Sequence, residues 1–223
     1  MPVYTTFKGG FGDAWGAANY FLRLSEETGE PTKVFNLDPR IREIVPLLDS
    51  VGSVVEVEQS ADVLVHSHRD PSVLRTLYPY QIPPIVIPWG VVFAREFFKT
   101  KIAIWQPNSS RTIAIQLIPR HANDKKGCPA EHRAYFCERM KSAGYEVAEM
   151  GLPASIVENI QLASKAQAFI GICSGMSHLC YSVRIPVHLL RNDQDSNTLA
   201  ICHQGNPHRE YANVFDVIRE FCP

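Results

Sequence analysis

Short runs of apolar and β-branched residues alternate along this chain with longer stretches whose apolar positions fall at helical spacing. Residues 3–7 (VYTTF) are predicted to form a strand, the glycine-rich segment 8–13 (KGGFGD) a turn, and residues 14–28 an amphipathic helix. In that helix Trp15, Ala18, Phe21, Leu22 and Leu24 fall close to helical spacing, and Gly29 and Pro31 stop it. A second strand at 32–36 completes a βαβ unit, which favours a parallel sheet. A helix over 39–48 and strands at 54–57, 63–66 and 85–87 follow. The stretch 78–107 is rich in proline and fits neither period well, and 105–111 (WQPNSSR) has linker chemistry.

The second half repeats the rhythm. Strands are expected at 112–117, 146–150, 168–172 and 187–190, and helices at 130–143, 155–165 and 177–183, joined by a polar loop over 118–129. This is the pattern of a doubly wound unit. The expected architecture is α/β, two Rossmann-like parallel-sheet domains facing across a cleft, with residues 1–107 in the first and 108–223 in the second. Such sheets bind ligands beyond the carboxyl ends of their strands.

Composition narrows the class. Of the 223 residues 45% are hydrophobic and 20% charged, the balance of a globular protein. The longest apolar stretch, around 82–98, is broken by Pro83, Pro84, Pro88, Arg95 and Glu96, so no membrane span is expected. The opening residues lack the apolar core of a signal peptide, which gives a cytoplasmic expectation. Six scattered cysteines without a CxxC pair point to reduced thiols and away from zinc. A formal net charge of −1 provides no general attraction for a polyanion.

Two glycine-containing turns carry the candidate chemistry. Gly9-Gly10-Phe11-Gly12-Asp13 lies where the first strand gives way to the first helix. There the glycines let backbone approach a ligand, and Asp13 is either a helix cap or a carboxylate able to take a proton. The turn lacks the GK[ST] ending of a Walker loop. Gly171-Ile172-Cys173-Ser174-Gly175-Met176-Ser177-His178 also follows an apolar strand and opens a helix. Backbone N–H groups of Ser174, Gly175 and Met176, with the Ser174 and Ser177 hydroxyls, can cradle a phosphate. His178 falls in the first helical turn, as a donor to phosphate or as a packed structural histidine. Arg120, Lys125 and Lys126 lie in the loop before the 130–143 helix, as diphosphate contacts or a solvated basic loop. Cys173 is a candidate thiol nucleophile. His66 and His68 have the spacing of a metal pair without a third ligand, so no metal site is assigned.

In order along nearly the whole chain, these pieces resemble the heptosyltransferase-type family of bacterial glycosyltransferases, whose GT-B architecture has two facing Rossmann-like domains. GGFGDAWGAANYFLRLSEETGEPTKVF is similar to the family's opening signature, in which the aspartate is the catalytic base. Lys126-Gly127-Cys128-Pro129 is similar to its Lys-x-Trp-Pro element, with Cys128 in place of tryptophan. ASKAQAFIGICSGMSHLCYSVRIPVHLL is similar to its donor-diphosphate motif, with Cys173 where relatives carry an acidic residue.

The resemblance implies an enzyme that moves a sugar from a nucleotide-diphosphate sugar to a saccharide hydroxyl, inverting the anomeric carbon, with no cofactor and no obligatory metal. Asp13 would be the base, and Lys126, Ser174, Gly175, Met176, Ser177 and His178 would bind the donor. Gly9, Gly10, Gly12 and Arg120 would shape the acceptor side or its loops, and the first domain would be a reduced one. Three alternatives stay open: a transferase acting on a modified DNA base, which the net charge disfavours, a non-catalytic nucleotide- or sugar-binding module, and a thiol hydrolase using Cys173.

Overall fold

A computed structural model of the chain describes residues 2–6, 9–66, 83–93, 98–107, 109–118, 127–191 and 208–223. It divides into two compact units, Met1–Lys101 and Ile102–Pro223.

The first unit is built on five parallel strands: β1 (Tyr4–Thr6), β2 (Thr32–Phe35), β3 (Val54–Val57), β4 (Val63–His66) and β5 (Ile85–Pro88), in the order β3-β2-β1-β4-β5. Helix α1 (Phe11–Thr28) joins β1 to β2. Trp15, Ala18, Phe21 and Leu22 of α1 are each no more than 1% exposed, while Leu24, read with them, is only partly buried because it lies at the edge of that face. Burying a large apolar side chain of this kind contributes about 1.5–3 kcal/mol. Gly29 ends α1 in the left-handed region, at φ 70°, and its N–H returns to the Ser25 carbonyl at 2.9 Å. The buried Thr32 hydroxyl donates to the Phe21 carbonyl at 2.7 Å and ties β2 to that helix.

In this unit two boundaries differ from the sequence reading by more than one residue. Helix α1 starts at Phe11, so Phe11, Gly12 and Asp13 form its first turn and are not part of a preceding loop. The helix expected over 39–48 is α2 (Pro39–Ile44), followed by a tighter 3-10 turn, Val45–Leu47. Pro46 sits in that turn and has no N–H to continue an α-helical ladder. A short helix α3 (Trp89–Phe93) follows β5 and was not foreseen.

The second unit has its own parallel sheet of β6 (Thr112–Gln116), β7 (Glu146–Glu149), β8 (Ala168–Gly171), β9 (Val187–Leu190) and β10 (Arg209–Tyr211), in the order β10-β9-β8-β6-β7. Its helices are α4 (Ala130–Ser142), α5 (Ile156–Lys165), α6 (Gly175–Val183) and α7 (Val214–Phe221). One core joins Ile113, Ile115 and Ile170 of the sheet to Phe136 and Met140 of α4 and Val217 and Ile218 of α7. Helices α5 and α6 pack on each other, and α6 also packs on β8 and β9. Trp105, within the stretch of linker composition, is anchored to this unit. Its N–H reaches the Val183 carbonyl at 2.8 Å and its indole nitrogen the Ala166 carbonyl at 2.7 Å.

Strand β10 and helix α7 were not read from the sequence. Asn213 caps α7, its side-chain oxygen accepting from Phe215 N–H at 2.9 Å and Asp216 N–H at 3.2 Å. Among the described residues no helix is long and apolar enough to cross a membrane.

Candidate functional site

In each sheet the first strand of the chain lies inside the sheet and not at its edge. In the first, β2 and β3 lie to one side of β1 and β4 and β5 to the other, so the winding reverses between β1 and β4. In the second, β7 lies to one side of β6 and β8, β9 and β10 to the other, so it reverses between β6 and β8. Ligands of open α/β sheets bind in the crevice outside the strand carboxyl ends at such a point. The two glycine-containing turns follow β1 and β8, at these two reversals.

In the first unit Gly10 is the N-cap of α1 and Asp13 its third residue. The Asp13 carboxylate reaches back and accepts the Gly10 N–H through Oδ2, half of a capping box. A Cβ at Gly9 would stand 1.9 Å from that Oδ2, so a side chain here would displace the carboxylate from its present position. Gly10 has φ −78°, an ordinary value, and needs no glycine for its conformation. Gly12 lies half-buried in the helix.

Arg40 holds the other side of this turn. Its Nη1 donates to the Gly9 carbonyl at 2.8 Å, while Nε and Nη2 grip the two oxygens of buried Asp38 at 3.0 and 2.6 Å. Asp38 also caps α2, accepting from the Arg40 N–H at 2.9 Å. The guanidinium is held charged, above its ordinary value, by the hydrogen bond to Asp38 first. Desolvation opposes this, and the negative charges of Asp38 and then Asp13 add to it. Sequence reasoning missed Arg40 because its partners, Gly9 and Asp38, belong to loops after different strands.

In the second unit Ser174 caps α6, with extended backbone at φ −155°. Gly171 has to be glycine because a Cβ there would lie 2.6 Å from the Gln116 carbonyl oxygen. The turn was expected to offer two hydroxyls to a phosphate, but both are engaged within the protein. Ser174 Oγ accepts from the Met176 N–H at 3.2 Å and donates to Gln116 Oε1. Ser177 Oγ accepts from the Ser174 N–H at 3.1 Å and donates to the Ser174 carbonyl at 2.7 Å. The hydroxyls therefore shape the turn, and the Ser174 and Met176 amides expected to face a phosphate are taken up by them, so the electropositive character left there is that of the α6 N-terminus as a whole.

His178 is buried, 7% exposed, with its ring edge-on to Tyr181 at 6.2 Å between centroids. Burial raises the Tyr181 phenol, and the nearby Cys173 and Cys180 add to that. Met176 is also buried, while Cys173 is half-buried just ahead of the cap. The tryptophan replacement Cys128 packs against the core and donates its N–H to the Leu117 carbonyl at 2.9 Å. Burial, helped by Cys137 and Glu131, pushes its thiol up to about 11, so it stays protonated.

A further loop closes in on this site from the end of β7. Asn159 of α5 is buried and knits it together: its Oδ1 accepts the Gly151 N–H at 2.7 Å, and its Nδ2 donates to the carbonyls of Ser155, Ala154 and Gly151 at 2.8, 3.2 and 3.3 Å. Gly151 has φ 114°, which side-chain-bearing residues rarely adopt. Gln116, Gly151 and Asn159 were all missed. The available signal was a lone polar residue closing the otherwise apolar strand IAIQL.

Arg120, Lys125 and Lys126 lie outside the described residues, as does His68. His66 closes β4. Among the described residues no cluster of three or more His, Cys, Asp or Glu side chains is arranged to hold a metal ion.

No protein-family model matches the sequence, and comparison with curated proteins returns no match. Solved structures do match. TibC from enterotoxigenic E. coli H10407, described as an iron-containing dodecameric glycosyltransferase, aligns at a TM-score of 0.55 and 17% identity over 85% of this chain. The chain spans 58% of TibC in that alignment and 62% in one with TibC in complex with ADP-D-beta-D-heptose. E. coli heptosyltransferase WaaC with ADP aligns at a TM-score of 0.58 and 10% identity, over 99% of this chain and 100% of WaaC. A glycosyl transferase family 9 protein from Veillonella parvula aligns at 0.60 and 12% identity, over 98% of this chain and 88% of its own. With its two five-stranded parallel sheets, this chain has the α/β fold of the heptosyltransferase-like glycosyltransferases.

Proposed function

We propose that this protein is a glycosyltransferase that takes a sugar from a nucleotide-diphosphate donor and delivers it to a saccharide hydroxyl. The observation that carries this reading is the place of the Ser174–His178 turn, at the winding reversal between β6 and β8 of a fold shared with heptosyltransferases. Two of the structures with that fold are described with ADP and with ADP-heptose.

In this reading the second unit holds the donor diphosphate at the start of α6, where Ser174, Gly175, Met176 and Ser177 form the first turn and His178 backs it. Lys126 adds a positive charge. Asp13 takes the proton of the acceptor hydroxyl as its oxygen bonds to the anomeric carbon and the bond from that carbon to the diphosphate oxygen breaks, with inversion. The departing diphosphate takes the electron pair, and its charge is met by the α6 terminus and Lys126. Gly9, Gly10 and Gly12 shape the turn that carries Asp13, and Arg120 is a further candidate contact in this scheme. No cofactor enters this scheme, and transfer that stops on chelation and returns with a metal ion would contradict the metal-free reading.

A saccharide acceptor is favoured over a modified DNA base because the net charge of −1 offers little to a polyanion. The free thiols of Cys128, Cys137, Cys173, Cys180 and Cys222 fit a reducing, cytoplasmic setting.

A thermal-shift screen against nucleoside diphosphates and their sugars tests the donor site. A ligand at about 100 times its dissociation constant stabilises by about 2.7 kcal/mol. A shift with one nucleotide class is expected, and no shift with any contradicts the reading. Binding without turnover on any acceptor would favour the non-catalytic module.

A further inference from the structure

We infer that Gln116, the last residue of β6, is a donor-contacting residue whose side-chain N–H₂ hydrogen-bonds a phosphate oxygen of the nucleoside diphosphate, an inference that rests on the donor-site reading above.

Gln116 stands at the carboxyl end of the strand from which the second sheet winds both ways, beside the β6–β8 reversal. Its backbone belongs to the site's frame: its carbonyl accepts the Ile172 N–H at 3.0 Å, and Gly171 keeps that approach open. Its side chain has a fixed orientation. One lone pair of Ser174 Oγ receives the Met176 N–H, and the single hydroxyl proton goes to the Gln116 amide oxygen. The amide oxygen is thus turned to the α6 cap, and the amide nitrogen faces away from it.

Among the described residues that nitrogen has no hydrogen-bond partner, and Gln116 is only half-buried. It lies over Gly151, where a Cβ would come within 3.5 Å of it. The positive φ of Gly151 and the Asn159 clamp keep that space free of a side chain.

The chemistry follows from what the turn no longer supplies. With the Ser174 and Ser177 protons directed to protein acceptors, the Gln116 amide is a side-chain donor that the described residues leave unused next to the α6 terminus. A neutral amide donor suits an oxyanion already attracted by helix N–H groups. A carboxylate of the same shape would repel it.

The test is calorimetric titration of the full chain with a panel of nucleoside diphosphates, comparing wild type with Gln116→Glu and Gln116→Ala, each checked for unchanged melting. Gln116→Glu keeps an acceptor for Ser174 and replaces the outward N–H₂ with an ionised oxygen. Affinity for the diphosphate is expected to fall about ten- to a hundredfold in Gln116→Glu and less in Gln116→Ala. The unphosphorylated nucleoside should bind wild type and Gln116→Glu alike. Folded variants that bind the diphosphate as tightly as wild type would overturn the role of Gln116 and leave the donor site standing. Wild type that binds none of the panel would remove the donor site and this inference together. If Gln116→Glu does not fold, Gln116→Ala alone decides.

Discussion

Arg40 donates to the carbonyl of Gly9 at 2.8 Å from a guanidinium that is gripped at its other edge by buried Asp38. This pins the residue just before the α1 N-cap, whose N–H in turn holds the Asp13 carboxylate. The candidate base therefore rests on a chain of contacts running from α2 through the Gly9–Gly10 backbone to α1.

Replacing Arg40 with alanine strands the Asp38 carboxylate and frees the Gly9 carbonyl. Because Arg40 is partly exposed, the cost is discounted to about 1–3 kcal/mol, to be read by denaturant unfolding. Transfer should lose kcat with little change in the donor's KM, since the proposed donor site belongs to the other unit. A variant as stable and as active as wild type would show that the clamp does not matter.

Gly9→Ala inserts a Cβ where the Asp13 Oδ2 now lies, 1.9 Å from it. The carboxylate has to swing away, so transfer is expected to collapse while nucleotide affinity stays within about twofold of wild type. Paired measurements of kcat and donor Kd check this. Retained turnover would mean that the Asp13 position is not critical.

Asn159 satisfies one N–H and three carbonyls of the loop after β7. Asn159→Ala leaves these groups to compete for water around a buried site, at a cost of about 2–4 kcal/mol. Asn159→Asp keeps the acceptor for Gly151 N–H but turns a buried carboxylate oxygen onto three carbonyls, so a loss at least as large as that of Asn159→Ala is expected. Chemical unfolding of both variants against wild type tests the order.

His188 makes stability depend on pH. It is 7% exposed, its Nδ1 lies 2.9 Å from the Tyr211 hydroxyl, and that hydroxyl donates to Glu220 at 2.8 Å. Burial lowers its pKa to about 4, with Glu220 opposing the shift and Arg209 adding to it. With the folded value below the unfolded one of about 6.5, the unfolded chain takes up the proton first. Stability is then full above about pH 6.5 and falls as the pH drops toward 4, by about 3 kcal/mol from this group. Unfolding free energies across this window should show a shallower slope in His188→Gln. An equal slope would assign the dependence elsewhere.

Most of the fold is written in local patterns. The apolar runs that became β2, β4, β6 and β8 and the helical face of α1 required only the alternation of periods, and Gly29 marked a helix end by its own backbone freedom. The start of α1 was misjudged because Phe11 and Gly12 read as turn residues, while the carboxylate at Asp13 acts backwards on Gly10. Helix α7 was legible in principle, from Asn213 followed by Val214, Val217, Ile218 and Phe221 at helical spacing, and was overlooked.

The site was legible at its two turns and illegible in what holds them. Ser174 and Gln116 are 58 residues apart, and Arg40 lies 31 residues from Gly9. Only the sheet order makes them neighbours. The serine hydroxyls looked available in sequence because the acceptors that claim them come from the cap itself and from another strand.

The central claim is that Asp13 is the base, and Asp13→Asn tests it most directly. Asparagine keeps an oxygen able to accept the Gly10 N–H, so the cap is preserved while the proton acceptor is lost. Sugar transfer should fall by about a hundred- to ten-thousandfold, with nucleotide binding and melting unchanged. Transfer at the wild-type rate in that folded variant would contradict the account.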